Sequence, residues 1–578
     1  MLRSKCLLKN IPRYPHTGSD EAFLLAASWL YRCISMHPDC YASILEAPCL
    51  PSRVIDVGPM DSRDPLLYES REGERAVYCT LSYRWPRNAV KTTQATLAQF
   101  KQRISFQGLP RTIQDSITIA RKLGFRYIWV DALCIIQDSQ MDWTREAANM
   151  HTIYRCSTLT IAALTASDSQ PGIFQPILQD RPHRWSHDDA LLHSRGWVLQ
   201  EELLSRRILS YADDAIFWSC LRINASDSEP ERSTPDTIHR TEDNHRFKRV
   251  LAGHRPTETK WEDYAYWLWR RAMTQYTMRN LTYEKDRLDA ISGVASTFAS
   301  VLNDVLVAGI WKHHLAEHLA WWVGSQSLSP RHLAYAGLED FENGLVSANS
   351  RSNSFAAPSW SWLSVRSPIT YANASKYGDG IGTNFSNERQ NAGDFIDMTE
   401  ILDIDMRSTA QTVDIRGTIK LRGSLMKVYI RRGVWRYKLY LSPGSPDERE
   451  DVDRPYSPGP QLDNDGRPRP SDDQWETWFP DAPISSTHPL RFDPLRENEL
   501  FCFHLGNGGD LHTHLFQFCL CLIRTGRKEH EYERVGFCAW NPRHVDLRCP
   551  ELQEKFRVFP GDRFKGFTAS TLETISIV

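Results

Sequence analysis

The stretch that most constrains this chain is residues 109–163, LPRTIQDSITIARKLGFRYIWVDALCIIQDSQMDWTREAANMHTIYRCSTLTIAA, which reads as helix, strand, helix, strand. Thr112, followed three residues on by Asp115, has the form of a capping box, and Ile113, Ile117 and Ala120 supply an apolar stripe. Gly124 stands where a left-handed cap stops a helix. FRYIWV (125–130) is short, aromatic and β-branched, the composition of a buried strand. A second helix is predicted over 142–154 and a second strand over 158–164. Strands alternating with helices predict an α/β fold, a parallel sheet covered on both faces.

At 578 residues the chain exceeds one ordinary core, so two or three domains are expected. Lysine plus arginine number 69 against 71 acids, a balance that gives no electrostatic case for nucleic acid. The 13 cysteines are odd in number and scattered, several inside apolar strands, which argues against a secreted disulfide scaffold. The first fifteen residues lack the apolar core of a signal peptide, and the longest apolar runs fall well short of a membrane span. A cytoplasmic protein with no membrane partner is expected.

Along the chain, residues 1–58 form a lead-in with a helix over 21–35 and a strand over 50–58. Cys33, His37 and Cys40 invite a zinc reading, with Cys49 the best available fourth ligand. The spacings do not match a common zinc finger, so packing cysteines and no metal are expected. Strand 75–86 ends at Pro86, and a dense block at 193–220 reads as a helix over 197–204 and two strands over 206–211 and 215–220. Residues 222–260 are polar and read as a loop. Residues 261–365 read as helical, including a run over 305–323, and 368–400 read as loop. The region 405–578 reads as β-rich, with glycines at the turns of 411–441 and a flexible excursion at 443–474.

No phosphate loop, HExxH, GxSxG or dinucleotide glycine signature is present. Ser82, Tyr83 and Trp85 follow the 75–86 strand, where ligands sit in an open α/β sheet, and Asp131 ends the neighbouring strand. Asp131 is read equally as a site acid or as a helix cap. Glu146 lies on or beside the stripe made by Trp143, Ala147, Met150 and Tyr154. A carboxylate there is either paired, with Arg121 or Arg195, or faces a pocket with a raised pKa suited to catalysis. Glu201 is read as part of a buried structural network with Arg195, Trp197 and Gln200. Cys134, in an apolar setting, is read as a buried thiol.

These segments resemble the fungal heterokaryon-incompatibility (HET) domain. The matching blocks are YCTLSYRW (78–85), 109–138, DWTREAANMHTIY (142–154), TIAAL (160–164) and SRGWVLQEELLSRRIL (194–209), so the resemblance covers 75–220. LPSRVIDVG before it and NLTYEKDRLDAISGVA (280–295) and APSWSWLSV after it resemble segments flanking such domains. The family pattern SYxWG has Pro86 here in place of its glycine. The resemblance implies a role in non-self recognition and programmed cell death, acting through protein partners, including self-association. HET domains are in turn distantly similar to Toll/interleukin-receptor (TIR) domains, implying a TIR-like, flavodoxin-like sheet. Some TIR domains cleave NAD with a helix-borne glutamate near a tryptophan, and Trp143 and Glu146 resemble that arrangement. The resemblance thus implies, as an alternative, NAD as a substrate with Glu146 catalytic and no resident cofactor, and the strand-end topology adds Asp131 as a second catalytic acid and Ser82, Tyr83 and Trp85 as substrate-binding residues.

Overall fold

The computed structural model describes residues 16–41, 47–59, 64–86, 89–164, 172–176, 191–213, 215–231, 240–255, 261–323, 357–371, 392–397, 399–408, 415–432, 437–440, 476–480, 498–510, 514–540 and 571–578. The chain forms two compact units, one of residues 1–268 and 279–302, the other of residues 269–278 and 303–578.

The first unit is built on an eight-stranded sheet. Its strands are β1 (Arg53–Asp56), β2 (Leu66–Glu69), β3 (Tyr78–Ser82), β4 (Tyr127–Trp129), β5 (Leu159–Ala163), β6 (Arg207–Tyr211), β7 (Ile216–Cys220) and β8 (Asn224–Ser226), in the order β2-β1-β4-β3-β5-β6-β7-β8. The central β4, β3, β5 and β6 are parallel, as expected from the sequence, while β1, β2, β7 and β8 extend the sheet antiparallel at its two sides. Counted in chain order, the parallel strands stand 2-1-3-4, the flavodoxin-like winding, with the reversal between β3 and β5. Every residue of β3, β4, β5 and β6 is buried, because helices cover both faces.

The helices of this unit are α1 (Asp20–Met36), α2 (Pro38–Tyr41), α3 (Gln94–Gln102), α4 (Arg111–Lys122), α5 (Asp131–Cys134), α6 (Gln140–Cys156), α7 (Gly196–Leu204) and α8 (Arg240–Leu251). After α9 (Trp261–Thr277) comes α10 (Asp289–Leu302). Gly124 has φ of 81° and ends α4 as expected, with the Phe125 N–H reaching the Ala120 carbonyl at 2.8 Å. The start of α4 differs from the capping-box reading. Pro110 precedes the helix without a side-chain cap, and Thr112 and Asp115 lie inside it. The buried Asp115 carboxylate instead accepts the Ile173 N–H at 2.8 Å and pairs with Arg111 at 3.2 Å.

Two further differences have physical causes. Residues 222–260, read as a polar loop, hold β8 and α8, and α8 buries Phe247, Val250 and Leu251 at helical spacing beneath its charges. In α6 the buried face carries Asp142, Glu146, Met150, Ile153 and Tyr154, so it is turned from the predicted stripe and takes two acids inward.

In the second unit the expected helix at 305–323 is mostly absent. Strands β9 (Leu306–Val307) and β10 (Ile310–Trp311) form a hairpin turned at Ala308 and Gly309, with φ of 47° and 83°. Helix α11 (Leu315–Leu319) follows, then β11 (Trp321–Val323), which pairs with β12 (Ile369–Tyr371) in the segment read as loop. The left-handed pair breaks helical continuity, and the tryptophans suit strands instead.

The remaining strands are β13 (Ala392–Asp397), β14 (Glu400–Ser408), β15 (Ile415–Arg432), β16 (Tyr437–Tyr440), β17 (Glu476–Pro480), β18 (Asn498–Asp510), β19 (His514–Arg524), β20 (Glu531–Trp540) and β21 (Thr571–Ile577). Pairings β15–β18, β18–β19, β19–β20, β20–β21 and β21–β15 close a ring of five strands. Gly417 and Gly423, expected at turns, lie inside β15. A Cβ at Gly423 would meet the Phe503 ring at 2.8 Å, so the glycine permits a close cross-strand approach. The excursion at 443–474 lies outside the described residues. No described helix is long and apolar enough to cross a membrane.

Candidate functional site

The site is built where the winding of the parallel sheet reverses, at the carboxyl ends of its strands. In open α/β sheets this reversal point, outside the carboxyl ends of the strands, is where ligands bind. The end of β3 brings Ser82 and Tyr83, both buried, and Trp85, half-buried. The end of β4 brings Asp131, and α7 brings Arg195 at its N-terminus and Glu201 from within.

Trp85 donates its indole N–H to Asp131 Oδ2 at 2.7 Å. The other carboxylate oxygen of Asp131 accepts the Ala132 N–H at 2.7 Å. Val130, not Asp131, occupies the cap position of α5, so the aspartate is the first helical residue and turns its side chain to the rim. Burial raises its pKa, while Arg195 and the Trp85 N–H oppose the shift.

Arg195 donates to the Tyr83 carbonyl, tying the start of α7 to the end of β3. Its backbone neighbourhood is braced by Asn280, whose N–H reaches the Ser194 carbonyl at 2.6 Å and whose carbonyl takes the Gly196 N–H at 2.8 Å. Among the described residues Arg195 makes no ion pair at contact distance, yet its charge acts on both Asp131 and Glu201.

Glu201 is buried, and burial raises its carboxyl to about 7, against the opposing pull of Arg195 and the Ser82 hydroxyl. Its Oε2 has no hydrogen-bond partner among the described residues, and neither has the buried Tyr83 hydroxyl. Burial and then the nearby Asp131 hold the Tyr83 phenol well above its ordinary value, fully protonated. Tyr154 lines the same corner, donating to the Leu81 carbonyl at 3.1 Å and packing edge-on against Trp129. The result is a proton-holding acid, a second acid and a free phenol under a half-exposed indole. Such a set can exchange a proton with a bound molecule at neutral pH.

Of the residues read as one network, Arg195 and Glu201 share this rim, whereas the other two face elsewhere. Gln200 accepts the Gly293 N–H at 2.9 Å, and Trp197 stands beside Asp286.

Glu146 is in a different setting. Its Oε1 accepts from Ser52 Oγ at 2.6 Å and from Arg145 Nε at 3.1 Å, and Arg53 NH2 lies 3.8 Å away. Arg53 also binds the Cys134 carbonyl at 2.7 Å and the carboxylate of Asp142, whose other oxygen takes Arg145 at 2.6 Å. The arginines around Glu146 are thus Arg53 and Arg145. Arg121, one expected partner, spends its donors on the Val57 carbonyl, and Arg195 spends one on Tyr83. Cys134 is a buried thiol, pushed up to about 12 by burial.

Sequence reasoning placed Ser82, Tyr83, Trp85 and Asp131 together but passed over Tyr154 and assigned Glu201 to packing. The signal available was Glu201's place, on a helix directly preceding a buried strand, six residues from an arginine.

Residues 78–190 match the family model described as Heterokaryon incompatibility protein (HET). The chain carries a HET domain. The matched segment begins at the first residue of β3 and takes in β4 and β5, so the HET domain supplies the reversal point of the sheet together with Trp85, Asp131 and Tyr154. No curated protein and no solved structure is significantly similar to the chain.

Proposed function

We propose that this protein acts in heterokaryon-incompatibility signalling, as a fungal cytoplasmic trigger of growth arrest and cell death that works through protein association, including self-association. The observation that carries this reading is the HET domain at the centre of the first unit. Induced expression of the full chain in a filamentous fungus tests it. Growth arrest and uptake of a vital dye are expected. Normal growth at a level where the intact protein accumulates would overturn the reading.

A second reading is favoured by the rim itself: cleavage of NAD at its nicotinamide–ribose bond. Water adds at the ribose carbon, the glycosidic electron pair leaves with nicotinamide, and ADP-ribose and a proton are released. Glu201 and Asp131 are better disposed for this than Glu146, because they share a rim with Tyr83 and Trp85 and neither is in contact with an arginine. Glu146 is held by two arginines and a serine. In this reading Trp85 stacks on a base, and Glu201 steadies the ribosyl cation and takes the proton of the attacking water. Incubating the purified chain with NAD and quantifying nicotinamide tests it. Release that falls about a hundredfold or more in Glu201→Gln supports it. No release from self-associated, folded protein sinks it.

A further inference from the structure

We infer that Cys33, His37, Cys40 and Cys220 hold a structural zinc ion. Their ligand atoms all lie within 4.8 Å of one another, and all four residues are buried. Cys33 belongs to the last turn of α1, His37 caps that helix, Cys40 lies in α2, and Cys220 is the final residue of β7. The Cys49 candidate for a fourth ligand is exposed, and its backbone instead bridges to Arg75. Cys220 takes that place.

The geometry suits a tetrahedral ion. With Zn–S of about 2.3 Å and Zn–N of about 2.0 Å, adjacent sulfur and nitrogen ligands stand about 3.5 Å apart. Cys220 Sγ lies 3.5 Å from His37 Nδ1. Three thiolates and an imidazole are the soft, four-coordinate donor set that selects zinc over hard cations.

A second, independent observation concerns charge. Arg207, at the start of β6, is 2% exposed, yet among the described residues no carboxylate pairs with it. Its Nε points at Cys33 Sγ at 3.2 Å and its NH2 at the Cys40 carbonyl at 2.8 Å. A buried guanidinium beside neutral thiols is an uncompensated charge, which costs several kcal/mol even after relaxation. Zinc with three thiolates and one histidine carries a net charge of −1, and Arg207 neutralises it while donating to a ligand sulfur, as outer groups around metal sites do. The ion would clip the α1–α2 turn to the end of β7, beside the stacked pair Trp29 and Trp218, whose ring centroids are 6.3 Å apart. A cross-link between positions 33 and 220 closes a long loop, where constraint of the unfolded chain has most effect.

The full chain, purified under reducing conditions without chelator, is expected to contain about one zinc ion per chain by mass spectrometry of the metal. Exchange with cobalt is expected to give tetrahedral d–d bands with thiolate charge transfer. Cys220→Ser and His37→Ala are expected to lose most of the metal, and Cys49→Ser to keep it. A folded, reduced chain grown with zinc that carries less than about a tenth of an equivalent overturns the inference. So do an octahedral cobalt spectrum, a disulfide among the three thiols in that preparation, and a Cys220→Ser chain with undiminished zinc. Should either ligand variant fail to fold, the metal content and cobalt spectrum of the unaltered chain decide.

Discussion

The Trp85 indole N–H is bonded to Asp131 at 2.7 Å, joining the ends of two neighbouring parallel strands across the rim of the sheet. One partner is a charged acceptor, so the bond is of the stronger kind, although both side chains are half-exposed. Trp85→Phe keeps the ring and removes the donor. It is expected to cost about 1.5 kcal/mol, the low end for a bond to a charged group, and to push the Asp131 carboxyl further up. Urea denaturation at constant m-value reads the first effect and carboxyl NMR titration the second. An unchanged Asp131 titration would mean the bond does not form.

Glu201 gives the stability a pH dependence of unusual sign. Its carboxyl is raised from 4.5 to about 7 on folding, so between those values the folded state binds the proton that the unfolded state releases. Stability from this group is present below about 4.5 and is lost as pH rises through about 7. The span corresponds to about 3 kcal/mol at 1.36 kcal/mol per pH unit. Glu201→Gln is expected to flatten the decline between pH 5 and 7, measured by chemical denaturation at a series of pH values. A variant with the same slope would remove Glu201 as its source.

Arg53 carries more of the fold than the acid it approaches. Truncating it leaves buried Asp142 and Glu146 with only the exposed Arg145 as a cationic partner, and the loss of one partner from a buried ion pair costs about 3–5 kcal/mol. Arg53→Ala is therefore expected to lower the denaturation midpoint sharply. Glu146→Gln, which keeps the shape and an acceptor for Ser52, is expected to cost about 1 kcal/mol. The reverse ranking would contradict the bracing role described above.

Helix α10 crosses α6 and α7 at Gly293. A Cβ there would fall 2.0 Å from the His151 Cβ and 2.7 Å from Gln200 Oε1. Gly293→Ala is expected to destabilise by about 1–3 kcal/mol despite its better helix propensity, because the crossing must open. Thermal unfolding measures it, and a neutral or stabilising result would refute so close a crossing.

The parallel core was legible in the sequence because its signals are local. Gly124 stops α4, and β4 and β5 are short apolar runs between helices of the expected period. Edge additions such as β8 were not, since a three-residue strand leaves no periodic trace. At 305–323 the apolar spacing fitted a helix as well as a hairpin, and Ala308 in a left-handed conformation has no sequence signature. The rim residues on β3 and β4 followed from topology alone. The setting of Glu146 did not, because its partners Ser52 and Arg53 lie 94 and 93 positions away and arrive through β1, which runs antiparallel to its neighbours. Cys220 was missed for the same reason.

The five-stranded ring of the second unit has an order of manufacture. Of its members, β15, β18, β19 and β20 leave the ribosome first, and β21, which slots between β20 and β15, leaves last. At roughly 5–20 residues per second, the open seam persists for the seconds needed to make the stretch between positions 540 and 571. A chain lacking β21 leaves the facing edges of β20 and β15 unpaired, the condition in which sheets stick to each other. A stop codon anywhere in that interval would make the seam permanent, turning a closed ring into an adhesive sheet.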